Sequence, residues 1–207
     1  MKRAGARFLC GEPLARGRLG ALPAAFNPLT VAHVALAEAA REAAGLDQVA
    51  FILPRSLPHK DFEGASFDDR RAMLEAAVCG RDRFAAVVTD GGLFHEIAEE
   101  LRAACGPGVE IFLICGRDAA ERIIGWDYGS SPTIVEQLER FRLLAGSRGG
   151  PCQPPPELEG VTAFELPGRF DEVSSSAVRE AIRSGRPWRS FTPPEVAALI
   201  DDRKLYC

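Results

Sequence analysis

Two short segments carry residue types suited to holding a polyphosphate. The first is Phe26-Asn27-Pro28-Leu29-Thr30-Val31-Ala32-His33. It separates an apolar run from an Ala-rich stretch, which places Thr30 at a helix start and His33 three positions on. The first N–H groups of a helix lack partners and attract an anion. A hydroxyl and an imidazole at that point serve the same ligand. The positive end of a helix favours acids and disfavours a cation by about 0.3–1 kcal/mol at exposed sites, yet this first turn holds His33 and neither Asp nor Glu. Thr30 also reads as a plain cap and Asn27-Pro28 as a plain turn; the residues alone leave both open.

The second segment is Val173-Ser174-Ser175-Ser176-Ala177-Val178-Arg179. Ser176 is the expected N-cap, with Arg179 in the first turn. Arginine at the positive pole costs stability unless an anion joins it, and its planar guanidinium holds two phosphate oxygens at once. Two other helix starts keep the ordinary rule: Ser66 is followed by Asp69, and Thr192-Pro193-Pro194-Glu195 offers a cap, a proline and an acid at the third position. The helices at 31–44 and 176–184 break that rule and are the ones assigned to phosphate. A solvated Ser-rich cap beside a surface arginine remains the plain alternative.

The elements that position these segments follow from the alternation of short apolar runs with amphipathic stretches. Strands are expected at 18–26, 48–54, 84–90, 109–115, 139–147 and 161–167, and helices at 31–44, 67–79, 93–105, 118–124, 176–184 and 193–202. Gly45 is a natural C-terminal stop, and Pro23 weakens the first strand. Residues 147–160 read as a Gly/Pro-rich loop. Strand–helix alternation predicts an α/β fold: a Rossmann-like open parallel sheet with helices on both faces and C-terminal helices. Residues 1–17 read as an N-terminal extension and 18–207 as one domain. Ligands of such sheets bind at the carboxyl ends of the strands, near the switch in strand order, where both segments belong.

Composition narrows the partners. The 207 residues carry a net charge of −4 with 26% charged side chains, so no basic surplus points to nucleic acid, and an anion site must be local. A hydrophobic fraction of 46% supports a real core. The six cysteines (10, 79, 105, 115, 152 and 207) form no C-x-x-C, which argues against zinc; Cys115, in an apolar run, reads as a buried thiol. No signal sequence or membrane-length apolar run is visible, and a reducing, cytoplasmic setting is expected.

The two segments together resemble signatures of the nucleotidylyltransferase superfamily, [HT]-x-[GA]-H after the first strand and I-S-S-T-x-x-R late in the chain. The chain is most similar to the nicotinate-nucleotide adenylyltransferase family over about residues 18–207. Pro54 to Lys60 resembles its P-x-x-x-P-H-K, Arg70 to Leu74 its R-x-x-M-L, and Gly116-Arg117-Asp118 its G-x-D. Trp126 follows, and Leu205-Tyr206 resembles its L-Y ending. Departures are Ala24-Ala25 where the family has glycines, Thr30 where many members have His, and the 147–160 loop.

The resemblance implies transfer of AMP from ATP to nicotinate mononucleotide, with Mg²⁺ bound mainly through the ATP phosphates and no dedicated protein metal ligands. It assigns His33, Thr30 and Arg179 to catalysis, and Phe26, Asn27, Ser174, Ser175 and Ser176 to the ATP phosphates. Lys60, Arg70, Gly116, Asp118 and Trp126 go to the nucleotide or acceptor, beside plain readings of Lys60 as a surface lysine, Arg70 as the partner of a carboxylate, Asp118 as a helix N-terminal acid and Trp126 as a core or rim residue. His59, His95, Trp188 and Tyr128 read as structural. Alternative readings are another acceptor (nicotinamide mononucleotide or phosphopantetheine) and a non-catalytic nucleotide-binding module. A dehydrogenase is disfavoured because no G-x-G-x-x-G follows the first strand. ATP and a small phosphorylated acceptor are the expected partners, without nucleic acid or membrane.

Overall fold

In the computed structural model, which describes residues 5–56, 64–125, 132–147, 158–168 and 170–207, the first half of the chain runs β1 (Arg7–Cys10), β2 (Arg16–Pro23), α1 (Val31–Ala44), β3 (Gln48–Pro54), α2 (Phe67–Val78), β4 (Phe84–Thr89) and α3 (Phe94–Ala104). The second half runs β5 (Gly108–Gly116), α4 (Arg117–Ile124), α5 (Ile134–Leu138), β6 (Arg142–Ser147), β7 (Val161–Glu165), α6 (Ser175–Arg183) and α7 (Pro194–Asp202). One sheet holds all these strands in the order β1-β4-β3-β2-β5-β6-β7. Pairing is parallel from β4 to β7, and β1 alone runs antiparallel, against β4. Without β1 this is the doubly wound order 3-2-1-4-5-6, as the alternation predicts.

Strand residues alternate between two cores, as the period of two requires. Phe51 and Leu53 join α1, α2, α6 and α7 on one face through Ala37, Met73, Val178 and Val196. Ala50 and Ile52 face Ile97, Leu101, Ala120 and Leu138 of α3, α4 and α5 on the other. The near-continuous apolar run of β5 is therefore buried on both sides, and Cys115 within it is buried. Helix α1 lies so close to β6 that a Cβ at Gly146 would sit 2.3 Å from Leu36 Cδ1. It ends as expected at Gly45, in the left-handed region at φ +59°, with the Leu46 N–H bonded to the Arg41 carbonyl.

The boundaries of α1 and β3 fall where the sequence puts them, and several others differ. The segment read as a strand from 139 gives its first three residues to the turn after α5, so β6 begins at Arg142. Helix α7 starts at Pro194, one residue late, and the Thr192 hydroxyl donates to the Arg189 carbonyl in place of capping the helix. Residues 7–10 of the expected extension supply β1. A disulfide between Cys10 and Cys79 ties that edge strand to the end of α2, a pairing that no spacing in the sequence signals and that departs from the expected reducing setting. Among the described residues no helix is long and apolar enough to cross a membrane.

Candidate functional site

The strand order reverses at β2, which has β3 on one side and β5 on the other. The loop leaving β2 begins with Ala24, whose N–H still bonds the Ile52 carbonyl. Phe26 follows with φ +47°, a left-handed conformation that a bulky residue rarely adopts. The bend drops the Phe26 ring into the core, where it is 1% exposed and meets Phe51 and, edge-on at 5.3 Å, His33. The Asn27–Pro28 peptide is cis.

Thr30 is the N-cap of α1 and fully buried, and His33 stands at the third helical position. The Thr30 N–H donates to His33 Nδ1 at 3.1 Å, and the Thr30 hydroxyl lies 2.7 Å from the same atom. This is the reciprocal geometry of a capping box, with imidazole in the place of the usual Glu. A nitrogen that accepts a backbone N–H carries no proton of its own, so the ring proton belongs on Nε2. The plain cap and the chemical group are thus the same pair of residues: capping orients a neutral imidazole that offers one N–H donor.

The second segment meets the first here. Helix α6 is capped by Ser174, whose Oγ accepts the Ala177 N–H at 3.0 Å. This corrects the expected cap at Ser176 and moves Arg179 to the second turn. Three adjacent serines have equal capping propensity, and a tertiary bond selects among them: the Ser175 hydroxyl donates to the Pro28 carbonyl at 2.8 Å. Arg179 Nη1 donates to the Asn27 carbonyl at 2.6 Å, and Nη2 to Ser176 Oγ at 3.3 Å. Two helix N-termini with no acid in their first turns, an imidazole, hydroxyls and a guanidinium are thereby stitched together across about 150 residues of chain.

Arg70 of α2 is 5% exposed and donates to the Ala25 carbonyl at 3.1 Å, so it braces the loop through the backbone. Burial lowers its pKa, but guanidinium stays charged at neutral pH. Gly116 ends β5 and caps α4, and a Cβ there would meet nothing within 4 Å. Asp118 is exposed, with Arg117 Nε 3.8 Å from its carboxylate and Arg122 Nε donating to its carbonyl; no bond described for it reaches the Thr30–His33 or Arg179 groups. Lys60, Trp126, His59 and Tyr128 lie outside the described residues. Trp188 is buried, as its structural reading expects.

Sequence reasoning gave no role to Tyr206, which donates from Oη to Asn27 Oδ1 at 2.9 Å. The L-Y ending was visible, but nothing local tells where a C-terminal tail folds back. The donors gathered here are N–H, hydroxyl, imidazole and guanidinium. They fit phosphate oxygens, and among the described residues no group of three His, Cys, Asp or Glu side chains is placed to hold a metal.

Residues 21–181 match the family model described as Cytidylyltransferase-like. A protein of Trichlorobacter lovleyi named "Probable nicotinate-nucleotide adenylyltransferase" is 30% identical over 210 residues, covering 91% of this chain and 99% of the relative. One of the same name from Bordetella pertussis is 32% identical over 200 residues, covering 91% and 98%. In fold, the chain is similar to the Plasmodium falciparum nicotinic acid mononucleotide adenylyltransferase solved in complex with NaAD, with a TM-score of 0.70 at 14% identity over 92% of this chain and 98% of that one. The doubly wound sheet, the joined helix starts at its switch point and these similarities lead to one conclusion: the chain belongs to the cytidylyltransferase-like family and, within it, to the nicotinate-nucleotide adenylyltransferases.

Proposed function

We propose that this chain transfers the adenylyl group of ATP to nicotinate mononucleotide, releasing pyrophosphate and forming the dinucleotide precursor of NAD. A 5′-phosphate oxygen of the acceptor bonds to the α-phosphorus, and the bond from that phosphorus to the bridging oxygen of pyrophosphate breaks. No protein nucleophile is required, so rate comes from positioning and from stabilising charge on the phosphates. Residues 18–207 are taken as the catalytic domain, with β1 as an addition to the edge of its sheet.

In this reading His33 donates from Nε2 to an oxygen of the α-phosphate. Thr30 fixes the imidazole and adds its hydroxyl to the same place. Arg179 and the N-terminal amides of α6, with Ser174, Ser175 and Ser176, neutralise the β- and γ-phosphates. Phe26 and Asn27 shape the loop that brings the two helix starts together. Gly116, at the end of β5, leaves room for the nucleoside beside the sheet, with Asp118 available to a ribose hydroxyl. Arg70 acts from behind the loop, and Lys60 and Trp126 remain proposed contacts of the acceptor. Mg²⁺ would enter with the ATP phosphates and would supply charge neutralisation beside Arg179 and the helix amides. A reaction that consumes ATP suits the cytoplasm.

The observation that carries this proposal is the bonding of Ser175 and Arg179 to the Pro28 and Asn27 carbonyls, which joins two phosphate-binding elements into one. Pyrophosphate release with ATP, Mg²⁺ and each of three acceptors tests it. Release with nicotinate mononucleotide, and much less with nicotinamide mononucleotide or phosphopantetheine, is expected. Preference for another acceptor would keep the reaction and overturn the substrate. ATP binding without release with any acceptor would favour a non-catalytic module.

A further inference from the structure

Beyond α7 the chain turns back toward the site. Lys204 and Tyr206 both lie in the left-handed region, with φ +50° and +69°, conformations that non-glycine residues hold only when their surroundings enforce them. Two bonds enforce this turn. Arg203 Nη1 reaches Asp69 Oδ1 at 2.7 Å, and the Leu205 N–H donates to the Ile200 carbonyl at 3.0 Å. The outcome is a Tyr206 side chain 8% exposed, its hydroxyl donating to Asn27 Oδ1.

Asn27 is where the parts of the site converge. Its Oδ1 also accepts the Ala65 N–H at 3.2 Å, from the segment entering α2, and its carbonyl accepts Arg179. Asn27 is 5% exposed, so an acceptor that loses its donor there gains little from water. Burial raises the pKa of the Tyr206 phenol against the opposing charges of Arg179 and Arg70, which keeps it protonated and therefore a donor. Removing that oxygen takes one donor from Asn27 Oδ1, with the Ala65 N–H still in place, and so loosens a loop whose carbonyls hold Arg179 and Ser175 and which leads to Thr30 and His33.

We propose that the Tyr206 hydroxyl is a positioning group for adenylyl transfer, holding Asn27 so that Thr30, His33 and Arg179 keep their register on the ATP phosphates. This rests on the adenylyl-transfer reading above. Tyr206 touches no substrate atom in this account and acts through Asn27.

Tyr206→Phe keeps the ring and removes only the hydroxyl. The expected result is a fall in kcat of about 10-fold, within the roughly 10²-fold that a 1 Å misplacement costs, with the acceptor KM within about twofold of wild type. Amide hydrogen exchange should quicken between residues 24 and 33 and stay unchanged in α3 and α5. A hydroxyl that merely stabilises the fold would lower the melting temperature and leave kcat of the folded enzyme intact. Unchanged kcat overturns the proposal whatever the exchange at 24–33 shows, and a lowered kcat with unchanged exchange there overturns the route through Asn27. Should the wild type itself turn over none of the three acceptors, the reaction reading has failed; the exchange pattern still decides about Tyr206, since unchanged exchange at 24–33 rejects it as the clamp on Asn27.

Discussion

The N-termini of α1 and α6 and those of α2 and α5 solve the same problem with different residues. Helices α2 and α5 fill their positive ends from within. Ser66 caps α2 and pairs with Asp69, and Thr133 and Glu136 close a full capping box on α5. At the start of α3, Glu96 and Glu100 accept four backbone N–H groups between Asp90 and Leu93. Helices α1 and α6 carry no acid in the first turn; α1 has His33 there, and α6 has Arg179 in its second turn. Of the seven α-helices described, these two alone lack that acid, and α6 is bonded to the loop that leads into α1 at the switch point of the sheet. A helix start without its own counter-charge is a weak signal alone. Two that meet are the basis on which the ATP phosphates are proposed to bind here.

The comparison breaks first at its chemical residues. His33→Ala and Arg179→Ala should each lower turnover by about 10²–10³-fold, the range for removing one donor aimed at developing charge, while steady-state assays and thermal melts show a folded protein. Losses below tenfold in both would remove the distinction between the two kinds of helix start. A substitution that makes α6 ordinary sharpens the point. Ala177 is the third helical residue after the Ser174 cap, so Ala177→Glu completes an Ser-x-x-Glu box. The melting temperature should hold or rise while the KM for ATP increases about 5- to 10-fold, from an added negative charge worth on the order of 1 kcal/mol at the helix end.

The reverse experiment belongs on α5. Thr133→Ala should cost about 1 kcal/mol of stability, or about 2–4 °C for a domain of this size, with turnover unchanged. The smallest effect concerns pH. The Ser66 hydroxyl, and then Arg203, hold the Asp69 carboxyl below its ordinary value. A carboxylate whose pKa is lower in the folded state adds stability that is complete above the unfolded value of about 3.9 and is lost as pH falls through the folded one. The gap in melting temperature between wild type and Asp69→Asn should therefore be constant above about pH 5 and narrow below about pH 4. A gap that widens on acidification would contradict this.

Much of this architecture was legible in the sequence because local and tertiary demands agree. The Ala-rich stretch ending at Gly45 and the buried strand at 48–54 read at their observed limits. His33 stood out because it sits in a first turn without an acid, whereas Arg179 was read into the first turn of α6 and stands in the second. What escaped was set at long range or fell below the resolution of periodicity. The four residues of β1 have their partner in β4, far along the chain. The five residues of α5 are too few to show a helical period, although Thr133-Ile134-Val135-Glu136 carries a cap signal in plain view. The register of α6 was decided by Pro28, and the role of Tyr206 by Asn27, each through a bond across more than 140 residues. Ala24-Ala25, which stand where the family has glycines, continue the bonding of β2 and present a carbonyl to Arg70.

The most direct test of the central claim is an amide chemical-shift titration of the protein with Mg²⁺ and a non-hydrolysable ATP analogue. The account predicts that the largest shifts fall on Thr30 to His33 and Ser174 to Ala177, with the amides at the starts of α2 and α5 nearly still. Saturating binding that leaves both of those segments unmoved, or that moves the start of α2 or α5 most, would contradict it.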